Sequence, residues 1–403
     1  MAPDPAEFET DRGARPAGGE EPAYRIDDDD RYASLRLIPW WKQERLEHAR
    51  VLVVGAGALG NEVLKNLALI GVGRILVVDF DTIEKGNLSR SVLFRAEDAG
   101  QSKAEVAAQR AGALNPEIAV RALHGDVIHD VGLGEFFDAE VVVGCLDNRE
   151  ARLWVNRQCW KASTPWVDSG IQEIQGVVKI FVPPDSACYE CAMTSRDYQL
   201  LNLRYRCPLL KREDIAAGKV PTAPTIASMM AALQVQEALK ILHGMPVAAG
   251  SALVFNGVGN QFYQTKLPFR SDCLSHETYP APTRIGLGNR DTVGAFFDAA
   301  RPTVAGALSI VLARELVTKV ECPRCGWSQS MYRPRQRVRH DEAMCPTCRE
   351  PAAVEALSEV PDDGSFSART LAEVGIAPYD VVRVDGETSS GFFWLGGDTG
   401  RFE

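Results

Sequence analysis

Apolar residues change their period several times along this chain, and the changes mark its elements. Val51–Gly55 is a short apolar run ending on glycine, and Leu59, Val63, Leu67 and Ile70 then recur at helical spacing, which reads as strand, turn, helix. Arg74–Asp79 (RILVVD) reads as the next strand and Ser102–Leu114 as a helix ended by Asn115-Pro116. Glu140–Gly144 reads as another buried strand, reaching Asp147. Strands alternating with helices predict a parallel sheet covered on both faces. After Trp166–Gly170 the texture changes. GVVKIFVP (176–183), SALVFNG from Ser251 and QFYQTKLP from Gln261 alternate apolar with polar residues, as half-exposed antiparallel strands do. Between them, an irregular stretch over 194–221 precedes a long helix, Thr225–Leu242.

The expected fold class is therefore α/β: a doubly wound, mostly parallel, Rossmann-like sheet extended by antiparallel strands over 31–276. Residues 277–320 read as a helical linker with a helix over Val304–Val317, 321–350 as a zinc ribbon, and 351–403 as a small C-terminal α/β module. Residues 1–30, rich in proline, glycine and acid, read as a disordered tail. The 403 residues suffice for one large domain with appendages.

A formal net charge of −10 argues against a general nucleic-acid binder, and the basic run Arg333–His340 reads as a solvated loop. The N-terminus has no basic-then-apolar leader, and no stretch approaches the ~18 apolar residues of a membrane span. A cytoplasmic protein is expected, whose ten cysteines serve as metal ligands or catalytic thiols rather than disulfides.

Candidate chemistry begins in GAGALG. Gly55 permits the tight turn, Gly57 lets backbone approach phosphate, and Gly60 lets helix and strand pack closely. Asp79, at the end of the second strand, is placed for ribose hydroxyls. That much fits a dinucleotide or ATP, with NAD or FAD the commoner occupant of such a turn. Asn87, Arg90 and Lys103 then offer neutralisation of β- and γ-phosphates, and Asp147 an oxygen ligand for Mg²⁺. Each has an ordinary alternative: Asn87 or Asp147 as a helix cap, Arg90 and Lys103 as surface charges. An NAD-dependent oxidoreductase would leave Arg90, Lys103 and Asp147 without a task.

With GAGALG, DFD (79–81), NLSR (87–90), Lys103 after GQS, Asp147-Asn148 with Arg152, CYEC (188–191) and QVQEALKIL, residues 31–276 resemble the ThiF, MoeB and ubiquitin-activating family. The resemblance implies ATP-dependent adenylation of the C-terminal glycine of a ubiquitin-like protein. It implies Asp79 as ribose ligand, Asn87, Arg90, Lys103 and Asn148 at the nucleotide, and Asp147 on Mg²⁺. It also implies a homodimer in which an N-terminal arginine reaches the partner's site. RYASLRLIPWW offers Arg31 or Arg36 for that role, and Arg36 is carried with the catalytic set. Ser91 departs from the sulfur-carrier activators, which usually have Gln after the arginine.

Cys322, Cys325, Cys345 and Cys348 form CxxC…CxxC at zinc-ribbon spacing. The resemblance implies a second pair partnering Cys188 and Cys191, and there this chain has Cys273-Leu-Ser-His276. A Cys₃His structural zinc follows, with mixed pairing to the ribbon as the alternative. Cys145 and Cys159 read as packing residues. Cys207, between Arg204-Tyr-Arg206 and Pro208, has cations that favour thiolate. Members that pass their substrate on carry a nucleophilic cysteine on this crossover loop. Cys207 is therefore the expected thioester nucleophile, with a conjugating enzyme as recipient. The alternatives are a sulfur-carrier adenylyltransferase of thiamin or molybdopterin synthesis and a catalytically silent zinc scaffold.

Overall fold

The computed structural model describes residues 29–199, 221–306, 308–396 and 402. Cys207 and most of the expected crossover loop, 194–221, lie outside the described residues, as does the expected tail up to residue 28.

The described residues up to Gln43, from Asp29 onward, belong to a unit of their own. Its described part carries a short 3₁₀ turn, Leu35–Leu37, and an Arg36 Nε to Asp30 Oδ2 ion pair of 2.9 Å.

The second unit, from Glu44 onward, holds two sheets. The first is built from β1 (Arg50–Val54), β2 (Arg74–Asp79), β3 (Ala119–His124), β4 (Val141–Gly144), β5 (Trp166–Gln172), β6 (Gln175–Phe181), β7 (Ser251–Asn256) and β8 (Gln261–Lys266). Their order is β3-β2-β1-β4-β5-β6-β7-β8. Pairing is parallel from β3 to β5 and antiparallel from β5 to β8, as the switch from continuous to alternating apolar patterns requires. Val51–Val54 and Ile75–Val78 are buried throughout because helices cover both faces.

Those helices are α1 (Gln43–His48), α2 (Ala58–Leu69), α3 (Lys103–Leu114), α4 (Leu133–Asp138), α5 (Arg149–Ala162) and α6 (Pro224–His243). On one face α6 lies along α2 and over β4–β6. Gly176 admits it there, since a Cβ would stand 2.3 Å from Met230 Cγ. Phe136, Trp160, Trp166 and Phe181 pack in one apolar cluster with Val155, Cys159 and Cys188.

The second sheet contains β9 (Thr283–Ile285), β10 (Ser309–Glu321), β11 (Ser328–Pro334), β12 (Ala353–Pro361), β13 (Val381–Asp385) and β14 (Ser390–Leu395), with α7 (Val293–Ala300) closing its core. The order is β11-β10-β13-β14-β9, with β12 also paired to β10. This corrects two expectations. The segment 277–320 is not a helical linker but supplies β9, α7 and β10. The helix expected over Val304–Val317 is replaced by the 13-residue β10. Register shifts between Val311 and Leu316 and between Val317 and Lys319 break its period of two, so its apolar positions imitate a helical stripe.

Candidate functional site

The glycine turn joins β1 to α2 at the carboxyl edge of the parallel strands, where α/β folds bind nucleotides. Gly55 adopts φ +100°, and a Cβ on it would stand 2.4 Å from the Cys145 carbonyl oxygen. A Cβ on Gly60 would stand 2.0 Å from the Gly55 carbonyl oxygen. Both glycines are therefore fixed by close backbone packing. Gly57 is different: a Cβ there would meet nothing within 4 Å. It faces open space at the N-terminus of α2, the position an anion favours.

Asp79 ends β2 beside this turn. Its Oδ2 accepts from the Ala56 N–H at 2.7 Å and its Oδ1 from the Asp81 N–H at 2.8 Å. Burial raises the Asp79 carboxyl above the ordinary range, opposed by the Ala56 amide and the Lys103 charge. Lys103, the first residue of α3, is itself nearly buried, and its Nζ lies 2.7 Å from Asp81 Oδ2. In the NLSR turn, Asn87 Oδ1 accepts from the Glu84 N–H at 2.8 Å, and an Arg90 guanidinium N–H donates to the Gly86 carbonyl at 2.9 Å. Asn148 is the N-cap of α5, accepting from Ala151 N–H at 2.8 Å, which leaves Asp147 exposed just beyond β4. Its position and hard oxygen donors suit Mg²⁺.

The residues that hold this rim in place had no role in the sequence reading, although Arg152 and Gln234 stand in its motifs. Asn61, fully buried on α2, donates to the Ala56 and Gly57 carbonyls at 2.7 and 3.0 Å and accepts from the Leu93 N–H at 2.9 Å. It thereby ties the glycine turn to the segment after NLSR. Gln234 on α6 donates to the Gly144 and Val167 carbonyls at 2.7 and 2.8 Å. Arg152 donates to the Leu146 carbonyl at 2.5 Å, the Ser169 carbonyl at 2.8 Å and the buried Asp168 at 3.1 Å. Burial raises Asp168, opposed by Arg152 and by Lys179 across the strand pair. A polar side chain at an otherwise apolar helix position was the available signal for Asn61 and Gln234.

The cysteine sets separate cleanly. Cys188, Cys191, Cys273 and His276 converge, with Sγ separations of 3.7 Å (188–191) and 3.5 Å (188–273) and Cys191 Sγ 3.3 Å from His276 Nε2. Cys322, Cys325, Cys345 and Cys348 form the second group, at 3.3 Å (322–348), 3.5 Å (325–345) and 3.8 Å (325–348). A tetrahedral zinc with bonds of about 2.3 Å has S···S edges of about 3.8 Å, so both sets fit zinc and mixed pairing is absent. Between the first two ligands, fully buried Glu190 binds Arg157 at 3.1 Å, Tyr198 at 2.9 Å and Ser275 of the CLSH turn. Cys145 and Cys159 are buried, and burial pushes both thiols well up, as packing residues require. The basic run is spent on ion pairs: Arg333 with Glu342, Arg335 with Glu315, Arg337 with Asp130 and Arg339 with Asp341.

The fold and rim define an α/β protein with a glycine turn at the carboxyl edge of its parallel strands and two clusters suited to zinc. More narrowly, residues 30–275 match the ThiF family model, and the chain belongs to the ThiF family. It is 40% identical over 157 residues to the SUMO-activating enzyme subunit uba-2 of Caenorhabditis elegans, covering 38% of this chain and 27% of that protein. It is 30% identical to ubiquitin-like modifier-activating enzyme 5 of Dictyostelium discoideum, covering 49% of this chain and 54% of that one. With the sulfur carrier protein ThiS adenylyltransferase of Escherichia coli K12 it shares 30% identity, over 57% of this chain and 87% of that one. The chain thus spans about a quarter of the first relative and about half of the second. Among solved structures, E. coli MccB with ATP superposes with a TM-score of 0.52 at 23% identity, over 63% of this chain and 75% of that one, a likeness of fold. Among the described residues no helix is long and apolar enough to cross a membrane.

Proposed function

We propose that the chain adenylates the C-terminal glycine of a ubiquitin-like protein and then passes the acyl group through Cys207 to a conjugating enzyme. The carrying observation is the gathering of Gly57, Asp79, Lys103 and Asp147 on one strand edge, in a ThiF-family chain. In the first step a carboxylate oxygen of the glycine attacks the α-phosphorus of ATP, the bond to the β-phosphate oxygen breaks, and pyrophosphate leaves. No protein base is needed, because the nucleophile is already ionised. The chain positions and neutralises. Asp79 holds the ribose, the open N-terminus of α2 at Gly57 receives phosphate, and Lys103 with Arg90 stabilises charge on the leaving oxygens, Asn87 and Asn148 completing the rim. Lys103 would exchange Asp81 for phosphate. Asp147 would hold Mg²⁺, which supplies further neutralisation of the triphosphate.

In the second step the Cys207 thiolate attacks the adenylate carbonyl and AMP leaves, after the thiol has given its proton to solvent. A homodimer with Arg36 crossing to the partner's site completes this reading, with zinc structural in both clusters. ATP–pyrophosphate exchange with glycine-terminated ubiquitin-fold proteins tests the first step. Its absence with every such partner and Mg-ATP would remove the adenylation reading. A reducible adduct lost in Cys207→Ala supports the second; an adduct that survives refutes it.

The second reading, activation of a sulfur carrier, is favoured by the 87% coverage of the ThiS adenylyltransferase. It predicts exchange without transfer to a conjugating enzyme.

A further inference from the structure

We infer that the C-terminal sheet sets the shape of the loop that receives the nucleotide base, with Arg337 as a positioning residue; this rests on the adenylation reading. Along the sheet the strands run β3-β2-β1, with the glycine turn at β1 and Asp79 at β2. A nucleotide with phosphates at the first and ribose at the second therefore carries its base to the loop after β3, residues 125–132. That loop starts against the ribose position, because the Gly125 N–H donates to the Asp79 carbonyl at 3.2 Å.

The loop's form depends on two aspartates. Asp126 Oδ1 accepts from Ile128 N–H at 2.9 Å, and Asp130 Oδ2 accepts from Asp126 N–H at 2.9 Å. The other oxygen of Asp130 is taken by Arg337 Nη2 at 2.6 Å, from the turn Arg335–Arg337 that follows β11 of the second sheet. At the loop's end, Leu133 N–H donates to the half-buried Asp380 at 2.8 Å, and Gly134 N–H to the Tyr379 carbonyl at 3.1 Å. A Cβ on Gly132 would stand 2.4 Å from the Pro378 carbonyl oxygen, and one on Gly134 2.3 Å from Trp394 Nε1. Thus both ends of a loop bordering the nucleotide are fixed, one by Asp79 and the other by residues beyond the ThiF-matched span.

The test is calorimetric titration of the full chain with ATP and, separately, with inorganic tripolyphosphate, which has no base. Arg337→Ala and Asp130→Asn should each weaken ATP binding about two- to fivefold, the scale of a partly exposed ion pair, and leave tripolyphosphate unchanged. Arg335→Ala, which breaks a neighbouring ion pair with Glu315, should match the unaltered chain for both ligands. Unchanged ATP binding in Arg337→Ala, or equal loss for both ligands, would overturn the inference. An unaltered chain that binds tripolyphosphate but not ATP would overturn it together with the adenylation reading.

Discussion

Two glycines three residues apart should fail in opposite ways. Replacing Gly60 by alanine puts a Cβ 2.0 Å from the Gly55 carbonyl oxygen, more than 1 Å inside ordinary contact. The atom in the way is backbone, in a turn held by Gly55 N–H on the Val78 carbonyl at 2.8 Å and by Cys145 N–H on the Val54 carbonyl at 2.7 Å. Relief must therefore part α2 from β1, an overpacking penalty of about 1–3 kcal/mol. For a chain of this size that lowers the melting temperature by roughly 1–4 °C. Gly57→Ala meets nothing within 4 Å, and its φ of −72° suits any residue. Its stability should stay within about 1 kcal/mol of the parent, or rise slightly through the unfolded chain. The new methyl stands, however, where phosphate must approach backbone, so ATP binding should fall at least about tenfold. Thermal melting and ATP titration on both variants decide the matter. A Gly60→Ala variant as stable as the parent, or a Gly57→Ala variant that melts early yet binds ATP normally, would refute the placement of the turn.

Arg152→Ala strands the buried Asp168 carboxylate with only Lys179 opposite, so a loss near the lower end of the about 3–5 kcal/mol for a broken buried pair is expected in melting experiments. His129 is held down to about 3 by burial and by Arg314 and Arg337, with Asp130 opposing. The folded protein keeps it neutral while the unfolded chain protonates it below about 6.5. Its contribution is complete above that pH and fades as pH falls toward 3. Asp126 and Asp380, raised by burial, work in the opposite sense in acid, so the comparison to make is against His129→Gln, which should flatten the melting profile between pH 6.5 and 4. Metal analysis should find two zinc per chain, and Cys273→Ser or Cys345→Ser should each remove one while sparing the other; loss of both from either variant would contradict the separate clusters.

The parallel half of the first sheet was legible because its central strands are buried on both faces, so their residues are almost all apolar and their ends are marked by Gly55, Asp79 and Asp147. The antiparallel extension was legible for the converse reason, alternation. The rim's supports were not. Asn61, Arg152 and Gln234 bind backbone groups brought together only by the fold, Asp168 binds Arg152 from the next strand, and no spacing in the chain announces which carbonyl a buried amide will meet. The two cysteine clusters lay between these cases. Pair spacing revealed CxxC and CxxC around the basic loop, whereas joining Cys188 and Cys191 to Cys273 and His276 across 85 positions needed the resemblance.

The misread strand shows why local periodicity ran out in the C-terminal region. β10 carries Ile310, Leu312, Leu316, Val317 and Val320 into cores on either side of two register shifts, so apolar residues recur at offsets of two and four. The offset of four is the helical one. The shifts exist because one strand serves three partners: along one edge β13 pairs with Ser309–Val311 and β11 with Leu316–Glu321, while β12 follows the other edge at both ends, up to the ribbon cysteines at its tip. A strand that must change neighbours midway bends at the exchange, and the bend inserts residues that face neither core. The same exchange leaves Arg314, just past Val311, over Trp154 of α5 at 4.8 Å, next to the Asp380 contact with Leu133. The irregularity that hid the strand from its sequence is therefore where the second sheet grips the first.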